Sequence, residues 1–311
     1  VNHQCSFPET MIWQDMGLGK TISTLTSIVH LLQHGFLRGV VVIAPIRVCR
    51  LVWRQEAAKW AHTKHLRFSV VAGDRDQRTR ALLRPDIDVY LVNYDVLGWL
   101  ADTLHNYFIK HGKPIPFNGI VWDEVSKTKN STTNRVKSFR RIADHFDWTT
   151  GLTGTPASNG YKDLHGQFLV VDKGARLGIT KTAFKTRFFY KEGPYKEVAF
   201  KDTESTIKEL IGDITLEMSA EDYNPLPDLI INDVEVEMEG QIRENYEKLE
   251  KEMFLRLDAD NTVEVFNQVA LMNKCLQYGN GNIYPVSGLP VHQPIHDLKL
   301  DALEDIIDEA Q

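Results

Sequence analysis

The sequence has few cysteines, no long apolar run and no excess of positive charge. Its three cysteines, at positions 5, 49 and 275, have neither disulfide-framework nor zinc-ligand spacing. We therefore expect free thiols and an intracellular protein. No apolar run approaches the ~20 residues of a membrane span, and the first residues are neither basic nor apolar, as a secretory leader requires. Secreted disulfide-rich and integral membrane classes are thus disfavoured.

The net charge of −6 argues against a protein that coats nucleic acid through its overall charge. The chain begins with Val rather than Met, so we expect a fragment or a processed form. Its 311 residues, 42% of them hydrophobic and 25% charged, suffice for one large or two ordinary globular domains. The 11 histidines show no metal-ligand spacing such as H-E-x-x-H.

The most informative stretch is residues 13–21, with the sequence W-Q-D-M-G-L-G-K-T between a predicted strand and a predicted helix over 22–32. A strand, a glycine-rich turn and a helix N-terminus form a phosphate cradle, because backbone N–H groups and the positive helix end face the anion. We expect Lys20 to reach the β- and γ-phosphates of ATP and Thr21 to ligate Mg²⁺. The predicted ATP-binding residues are Asp15, Met16, Gly17, Leu18, Gly19, Lys20, Thr21 and Ile22.

The strict P-loop pattern G-x-x-x-x-G-K-[ST] fails here, because Gln14 occupies the place of its first glycine. This stretch alone leaves open a plain strand–turn–helix with a surface lysine. A second motif favours the nucleotide interpretation: Asp123 and Glu124 follow an apolar strand about 100 residues after Lys20. A P-loop ATPase needs such a carboxylate for Mg²⁺ and a neighbouring group for the attacking water. We assign Asp123 to Mg²⁺ and Glu124 to the water, and predict Lys20, Asp123 and Glu124 as the catalytic set.

Residues 10–170 alternate strand-like and helix-like segments, which predicts an α/β fold with a parallel sheet flanked by helices. Polar residues follow the strands: Arg47, Asn93–Tyr94, Asp123–Glu124 and 153–155. Open α/β sheets bind ligands at the carboxyl ends of their strands, so one edge is expected to contain most of the chemistry.

The alternation ends near residue 172. We predict a first domain over 1–228, with a helical insertion from about 172, and a second segment over 229–311. Pro225 and Pro227 indicate a linker, the alternation of apolar and acidic residues over 230–238 predicts a half-exposed strand, and charged amphipathic helices follow.

Four motifs occur in one order: D-M-G-L-G-K-T at 15–21, D-E-V-S at 123–126, K-T-K-N at 127–130 and L-T-G-T-P at 152–156. Together they resemble the Swi/Snf-like ATPases of helicase superfamily two. The stretches at 277–284 and 296–303 resemble the approach to the second lobe in bacterial and phage members of that family. The resemblance implies a P-loop NTPase with a RecA-like first lobe, helical protrusions after the last ATPase motif, ATP and Mg²⁺ as cofactors, and double-stranded DNA as partner. Ser126 stands where the family usually has His, so this side chain can still hydrogen-bond but cannot carry the charge of an imidazolium.

On this resemblance, the residues that couple the ATP and DNA sites are Ser126, Thr153, Gly154 and Thr155. The residues expected to contact nucleic acid are Arg47, Asn93, Tyr94, Lys127, Lys129 and Asn130. Residues 127–141 include six basic side chains and no acidic one, a pattern that suits a phosphate backbone but also an ordinary solvated helix face.

The resemblance predicts an ATP-dependent double-stranded DNA translocase or remodelling motor, possessing only its first lobe here. Without a second lobe and its arginine finger, worth roughly 10³–10⁵ in rate, the chain should hydrolyse ATP weakly. The expected location is the cytoplasm of a bacterial or phage-infected cell, or the nucleus in a eukaryote. Two alternatives stay open: a strand-separating helicase or restriction-enzyme motor, and a non-hydrolysing DNA-binding regulatory module.

Overall fold

The computed structural model describes residues 1–158, 160–193, 196–223, 231–252, 254–256, 262–264, 268–284 and 292–309. It divides into two compact units, Val1–Pro227 and Asp228–Gln311. The predicted linker at Pro225 and Pro227 lies outside the described residues. Among the described residues, no helix is both long enough and apolar enough to span a bilayer.

The first unit is built on a parallel sheet. Its strands, in chain order, are β1 (Glu9–Gln14), β2 (Val40–Ala44), β3 (Phe68–Val71), β4 (Val89–Asn93), β5 (Gly119–Asp123), β6 (Trp148–Thr153), β7 (Phe189–Glu192), β8 (Lys196–Ala199) and β9 (Thr215–Met218). Seven of these form the sheet in the order β3-β4-β2-β5-β6-β1-β9, and every pairing is parallel. The predicted α/β parallel sheet is confirmed.

Helices cover both faces of the sheet. In chain order they are α1 (Asn2–Ser6), α2 (Lys20–Gln33), α3 (Trp53–Ala58), α4 (Arg75–Leu82), α5 (Leu97–Tyr107), α6 (Asn134–Arg140), α7 (Leu164–Val171), α8 (Lys181–Phe188), α9 (Thr203–Ile211) and α10 (Ala220–Tyr223). Successive side chains of β2 point to opposite faces, so Val41 packs in one hydrophobic cluster and Val42 in the other. Because both faces are covered, a strand such as β2 is apolar throughout.

The region after residue 172 differs from the predicted helical insertion. Helices α8 and α9 are present, but β7 and β8 form an antiparallel hairpin, and β9 joins the main sheet beside β1. The predicted helices are present as α8 and α9, but the prediction missed the strands, among them β9, which is only four residues long. A segment of that length gives too little periodicity to identify a strand, and only its pairing with β1 defines it.

The second unit contains α11 (Gly240–Glu252), β10 (Phe254–Arg256), β11 (Thr262–Glu264), α12 (Gln268–Gly279), β12 (Asn282–Ile283), β13 (Gln293–Pro294) and α13 (Leu298–Glu309). Its buried centre includes Leu249, Tyr278 and Ile283. The predicted strand over 230–238 is wrong over the described positions: residues 231–239 have no regular secondary structure. Alternation alone does not make a strand, since a strand also needs a neighbour for its backbone hydrogen bonds.

Candidate nucleotide site and nucleic-acid interface

The order of the strands brings the predicted motifs to one edge of the sheet. Strands β5, β6 and β1 are adjacent; Asp123 is paired with Leu152, and Trp13 with Thr153. The acidic pair (Asp123 and Glu124), the threonine turn (residues 153–155) and the lysine turn (residues 15–20) therefore lie at the carboxyl ends of three neighbouring strands. Strand β2, which precedes Arg47, and strand β4, which ends at Asn93, continue the same edge on the other side of β5.

The backbone of the lysine turn adopts positive φ angles at its two glycines. Gly17 and Gly19 have φ values of 84° and 81°, in the left-handed region that disfavours residues with a Cβ. Helix α2 begins at Lys20, directly after Gly19. The Lys20 ammonium donates hydrogen bonds to the backbone carbonyls of Gln14 at 2.5 Å and Asp15 at 3.0 Å. The turn therefore presents backbone N–H groups and a cation at a helix N-terminus, as a phosphate site requires.

Lys20 and the acidic pair share one electrostatic environment. Burial lowers the pKa of Lys20, while the negative charges of Glu124, Asp123 and Asp15 oppose that shift. A Cβ added at Gly154 would lie 3.8 Å from the Lys20 amine, so the threonine turn also borders the same space. The three motifs, separated widely in sequence, thus surround one polar site.

The side chains of Gln14 and Asp15 stabilise the lysine turn through hydrogen bonds. The Gln14 side-chain amide donates to the carbonyl of Leu18, which closes the turn at the position where the strict pattern has glycine. The Asp15 carboxylate accepts a hydrogen bond from the backbone N–H of Ala220 at 2.8 Å, which fastens the turn to the segment after β9. Met16 is 89% exposed beside these residues. Thr21 and Ile22, the next predicted ATP-binding residues, are half-buried in the first turn of α2.

Asp123 ends β5 and is held by a tryptophan. One carboxylate oxygen of Asp123, Oδ2, accepts a hydrogen bond from Nε1 of Trp53 at 2.8 Å. Burial raises the pKa of Asp123, and the hydrogen bond from Trp53 acts in the opposite direction. Sequence analysis did not identify Trp53, because a tryptophan in an apolar helix pattern predicts only core packing. Its amphipathic ring, with one polar atom, is the sole hint of a second role.

Glu124 is the centre of a hydroxyl network. Its Oε1 atom accepts hydrogen bonds from Ser126 at 2.5 Å and from Thr153 at 3.0 Å. The Thr153 hydroxyl also accepts from the backbone N–H of Thr155 at 3.1 Å. Two of the predicted coupling residues, Ser126 and Thr153, therefore contact Glu124 directly, and Thr155 is joined to it through Thr153. Glu124 has a φ of 63°, a strained conformation for a residue with a side chain, of a kind that clusters at functional sites.

The residues present fit a bound Mg²⁺ ion. This ion usually takes one or two protein carboxylates and completes its shell with phosphate oxygens and water. Asp123 and the hydroxyl of Thr21 have the right donor chemistry for that role. No cluster of three or more His, Cys, Asp or Glu suited to a metal occurs in the described part of the chain, and the three cysteines are free. A cage made wholly of protein ligands is not required for Mg²⁺.

Two of the predicted DNA-contacting residues after β2 and β4 are accessible, and one is not. Arg47 is exposed, and Asn93 is half-buried with its amide donating to Asp95. Tyr94 is only 2% exposed, and its hydroxyl donates to the carbonyls of Asp123 at 3.0 Å and Glu124 at 3.1 Å. A side chain so buried does not reach a nucleic-acid backbone. We correct this prediction: Tyr94 does not contact nucleic acid but hydrogen-bonds the backbone of the acidic pair.

The basic segment 127–141 is exposed but partly neutralised. Lys127, Lys129 and Asn130, the predicted contacts, are exposed. Lys129 lies 3.7 Å from a carboxylate oxygen of Asp163, and the Asn130 side chain accepts hydrogen bonds from Thr132. Further along, Arg135 pairs with Asp95 at 2.6 Å and Arg141 with Asp102 at 2.8 Å. Part of the segment is therefore a solvated, salt-bridged surface.

Comparison with known proteins agrees with this geometry. The chain matches the SNF2-related domain over residues 2–283. Putative protein p41 of Acyrthosiphon pisum secondary endosymbiont phage 1 is 33% identical over 324 residues, which cover 100% of this chain and 68% of that protein. The DNA excision repair protein ERCC-6-like of Homo sapiens is 28% identical over 191 residues, 60% of this chain but only 14% of that protein.

A solved structure has the same fold. The Sulfolobus solfataricus SWI2/SNF2 ATPase core in complex with dsDNA superposes with a TM-score of 0.56 at 22% identity, covering 97% of this chain and 60% of that chain. The fold is therefore the RecA-like P-loop fold of that core. Given the profile match over most of its length and its likeness to the phage protein, the chain belongs to the SNF2-related domain family, ATPases of helicase superfamily two.

Proposed function

We propose that the chain is the first lobe of a motor that couples ATP hydrolysis to movement along double-stranded DNA. The observation that supports this most directly is the placement of Lys20 within the field of Asp123 and Glu124 at the carboxyl edge of the sheet. An SNF2-related domain with these groups around one polar site has the parts that phosphoryl transfer needs. Duplex DNA as the track is supported by the DNA in the structural neighbour and by the name of the repair relative.

Each residue of the site has a distinct task in this proposal. Lys20 would exchange its backbone carbonyl partners for phosphate oxygens, and Thr21 and Asp123 would hold Mg²⁺. A bound Mg²⁺ ion supplies positive charge that stabilises the transferring phosphoryl group. Glu124 orients the attacking water, and its hydroxyl partners Ser126 and Thr153 hold its carboxylate in place. Because Thr153 belongs to the threonine turn, movement of that turn alters the position of Glu124.

The proposed DNA contacts are point charges and amides rather than base readers. Arg47 is exposed after β2, and Lys127 and Asn130 are exposed after β5, at the same edge of the sheet. Such groups bind the phosphate backbone without reading sequence, which suits a protein that moves along its track. We further propose that a second RecA-like lobe completes the site, that the chain alone hydrolyses ATP slowly, and that the protein acts inside the cell.

The test measures ATP hydrolysis by the protein with and without duplex DNA, followed by displacement of a third strand from a DNA triplex. Stimulation by the duplex and ATP-dependent triplex disruption would support a translocase. Release of a single strand from a forked duplex would instead indicate a strand-separating helicase. Salt-sensitive duplex binding with no nucleotide binding or hydrolysis would contradict the proposal and favour a regulatory DNA-binding module.

A further inference from the structure

Trp53 lies at the boundary between the hydrophobic core and the candidate magnesium site. Its side chain is fully buried in the cluster that packs α2 and α3 on the sheet. Its one polar atom, Nε1, donates to Oδ2 of Asp123 at 2.8 Å across 70 residues of sequence. A buried N–H that bonds a carboxylate makes a short, charge-assisted hydrogen bond, about twice as strong as one between neutral groups.

A π-helical turn sets the direction of this side chain. Residues Val48–Val52 form the π-turn, and α3 continues from it at Trp53. A π-turn adds one residue to the helix, which rotates every following side chain by roughly 100° relative to a continuous α-helix. Without the extra residue, a neighbour of Trp53 would face β5 instead. Such turns are rare and are frequently found at functional sites.

We propose that Trp53 is a positioning residue that holds Asp123 in the orientation needed to bind Mg²⁺. The proposal rests on the proposed function, because it assumes that Asp123 is the metal carboxylate. Trp53 does not touch the metal or the nucleotide; it acts through the carboxylate. Partners of metal ligands commonly fix ligand orientation, and their loss typically weakens metal affinity or activity about 10–100-fold.

A purely structural role for Trp53 is the competing explanation, and another tryptophan provides the matched control. Trp122 is also fully buried, in β5 next to Asp123, and its Nε1 atom has no hydrogen-bond partner in the described part of the structure. Trp122→Phe therefore removes the same atoms from the core without removing a hydrogen bond to Asp123. A change in Mg²⁺ affinity that both variants share would result from altered packing, whereas a change seen only at position 53 would result from loss of the hydrogen bond.

The experiment titrates MgCl₂ into the 311-residue chain in the presence of a fluorescent ATP analogue, for wild type, Trp53→Phe and Trp122→Phe. For Trp53→Phe we expect the midpoint of the Mg²⁺ titration to rise about 10–100-fold. Affinity for the analogue in EDTA should stay within about twofold, since the phosphate cradle is intact. Trp122→Phe should keep the wild-type midpoint. A Trp53→Phe midpoint equal to that of Trp122→Phe would overturn the proposal.

A second replacement covers the case in which Trp53→Phe does not fold. Incorporation of benzothienylalanine at position 53 exchanges only the indole N–H for sulfur and keeps the two-ring shape. The same rise of the Mg²⁺ midpoint supports the hydrogen bond as the cause, and a wild-type midpoint contradicts it. If the wild-type chain itself shows no Mg²⁺-dependent nucleotide binding, the proposed function fails. If the wild type binds and position 53 has no effect, only the positioning role fails.

Discussion

The two ends of strand β1 lie beside groups of charged residues that are organised in opposite ways. At its start, the Arg176 guanidinium lies 3.6 Å from Glu9, 3.3 Å from Asp172 and 2.6 Å from Asp213. At its end, the Lys20 ammonium hydrogen-bonds backbone carbonyls of its own turn, although the charges of Asp123 and Glu124 reach it. In the first group the opposite charges are in direct contact, whereas in the second they are held apart.

This difference distinguishes charged residues that stabilise the fold from charged residues that can bind a ligand. Asp172 has a completely buried side chain whose carboxylate accepts hydrogen bonds from the backbone of Gly174 and Arg176 and from the Arg176 guanidinium. In such a network the charged groups already have partners within the protein, so few of their hydrogen-bonding atoms are free to bind a ligand. Lys20, bonded only to carbonyls that a phosphate can replace, is available for binding. Substitutions at the two ends should therefore affect different properties.

The largest expected effect is at the functional end. In the intact protein with both lobes, Lys20→Ala should lower DNA-stimulated ATP hydrolysis about 100–1000-fold, the usual loss when one stabilising cation or donor is removed from a reaction centre. Its thermal unfolding midpoint should change little, because Lys20 is not part of the core. Lys110→Ala, at an exposed lysine, is the control and should retain activity. Undiminished hydrolysis by Lys20→Ala would refute the site.

At the opposite end of β1, Arg176→Leu should change stability. The substitution leaves the buried Asp172 carboxylate without its cation, which costs about 3 kcal/mol in the free energy of unfolding. Lys208→Leu, which breaks an exposed pair with Glu204, should have little effect. Urea unfolding of the three proteins measures the difference, and equal stability of all three would contradict a structural role for the Arg176 network.

The loss in the free energy of unfolding caused by Arg176→Leu should also depend on pH. Burial raises the pKa of Asp172 in the folded protein, and loss of Arg176 raises it further. A carboxyl group whose pKa is higher in the folded than in the unfolded state favours folding at low pH, and that contribution is lost as the pH rises through the folded-state pKa. The deficit relative to wild type should therefore be larger at pH 7 than at pH 5. A deficit that grows on acidification would contradict this assignment.

A smaller effect is expected at Gly166, which packs against the backbone of the turn that follows Glu124. A Cβ at Gly166 of α7 would lie 2.1 Å from the carbonyl oxygen of Thr128, in the turn that follows Glu124. Gly166→Ala should therefore reduce the free energy of unfolding by about 2 kcal/mol and reduce hydrolysis as well. At Gly98 of α5 the new Cβ meets only Ser138 at 3.6 Å, so Gly98→Ala should be neutral or slightly stabilising. Thermal denaturation and ATPase assays of both variants test the contrast.

The smallest effect concerns the hydroxyl network of Glu124. Thr153→Val keeps the shape of a fully buried side chain but removes its hydrogen bonds with Glu124 and with the Thr155 backbone. We expect kcat to fall about tenfold, as when the supporting partner of a catalytic group is lost, with KM for ATP nearly unchanged. Thr149→Val, at a buried position of the same strand away from this network, is the control. A raised KM with unchanged kcat would contradict orientation of Glu124.

Much of this arrangement is predictable from short patterns in the chain. The lysine turn, the acidic pair and the threonine turn each combine a strand with a distinctive polar ending, and the rule for parallel sheets places such endings at one edge. The role of Tyr94 and the strand β9 were not predictable in this way. Tyr94 follows a strand end like its neighbours, yet its ring packs inward, and β9 is defined only by its partner β1.

Local sequence thus specifies which residues stand at the strand ends, because backbone preferences and hydrophobic periodicity act over a few positions. It does not specify which of these ends become neighbours. The sheet order β5-β6-β1 places Asp123 beside Leu152 and Trp13 beside Thr153, although residues 15–118 separate β1 from β5 and still more of the chain separates it from β6. The contact of Trp53 with Asp123 likewise exists only once β5 and α3 pack together. Hydrogen bonds between distant residues depend on that packing, and the tertiary structure alone determines it.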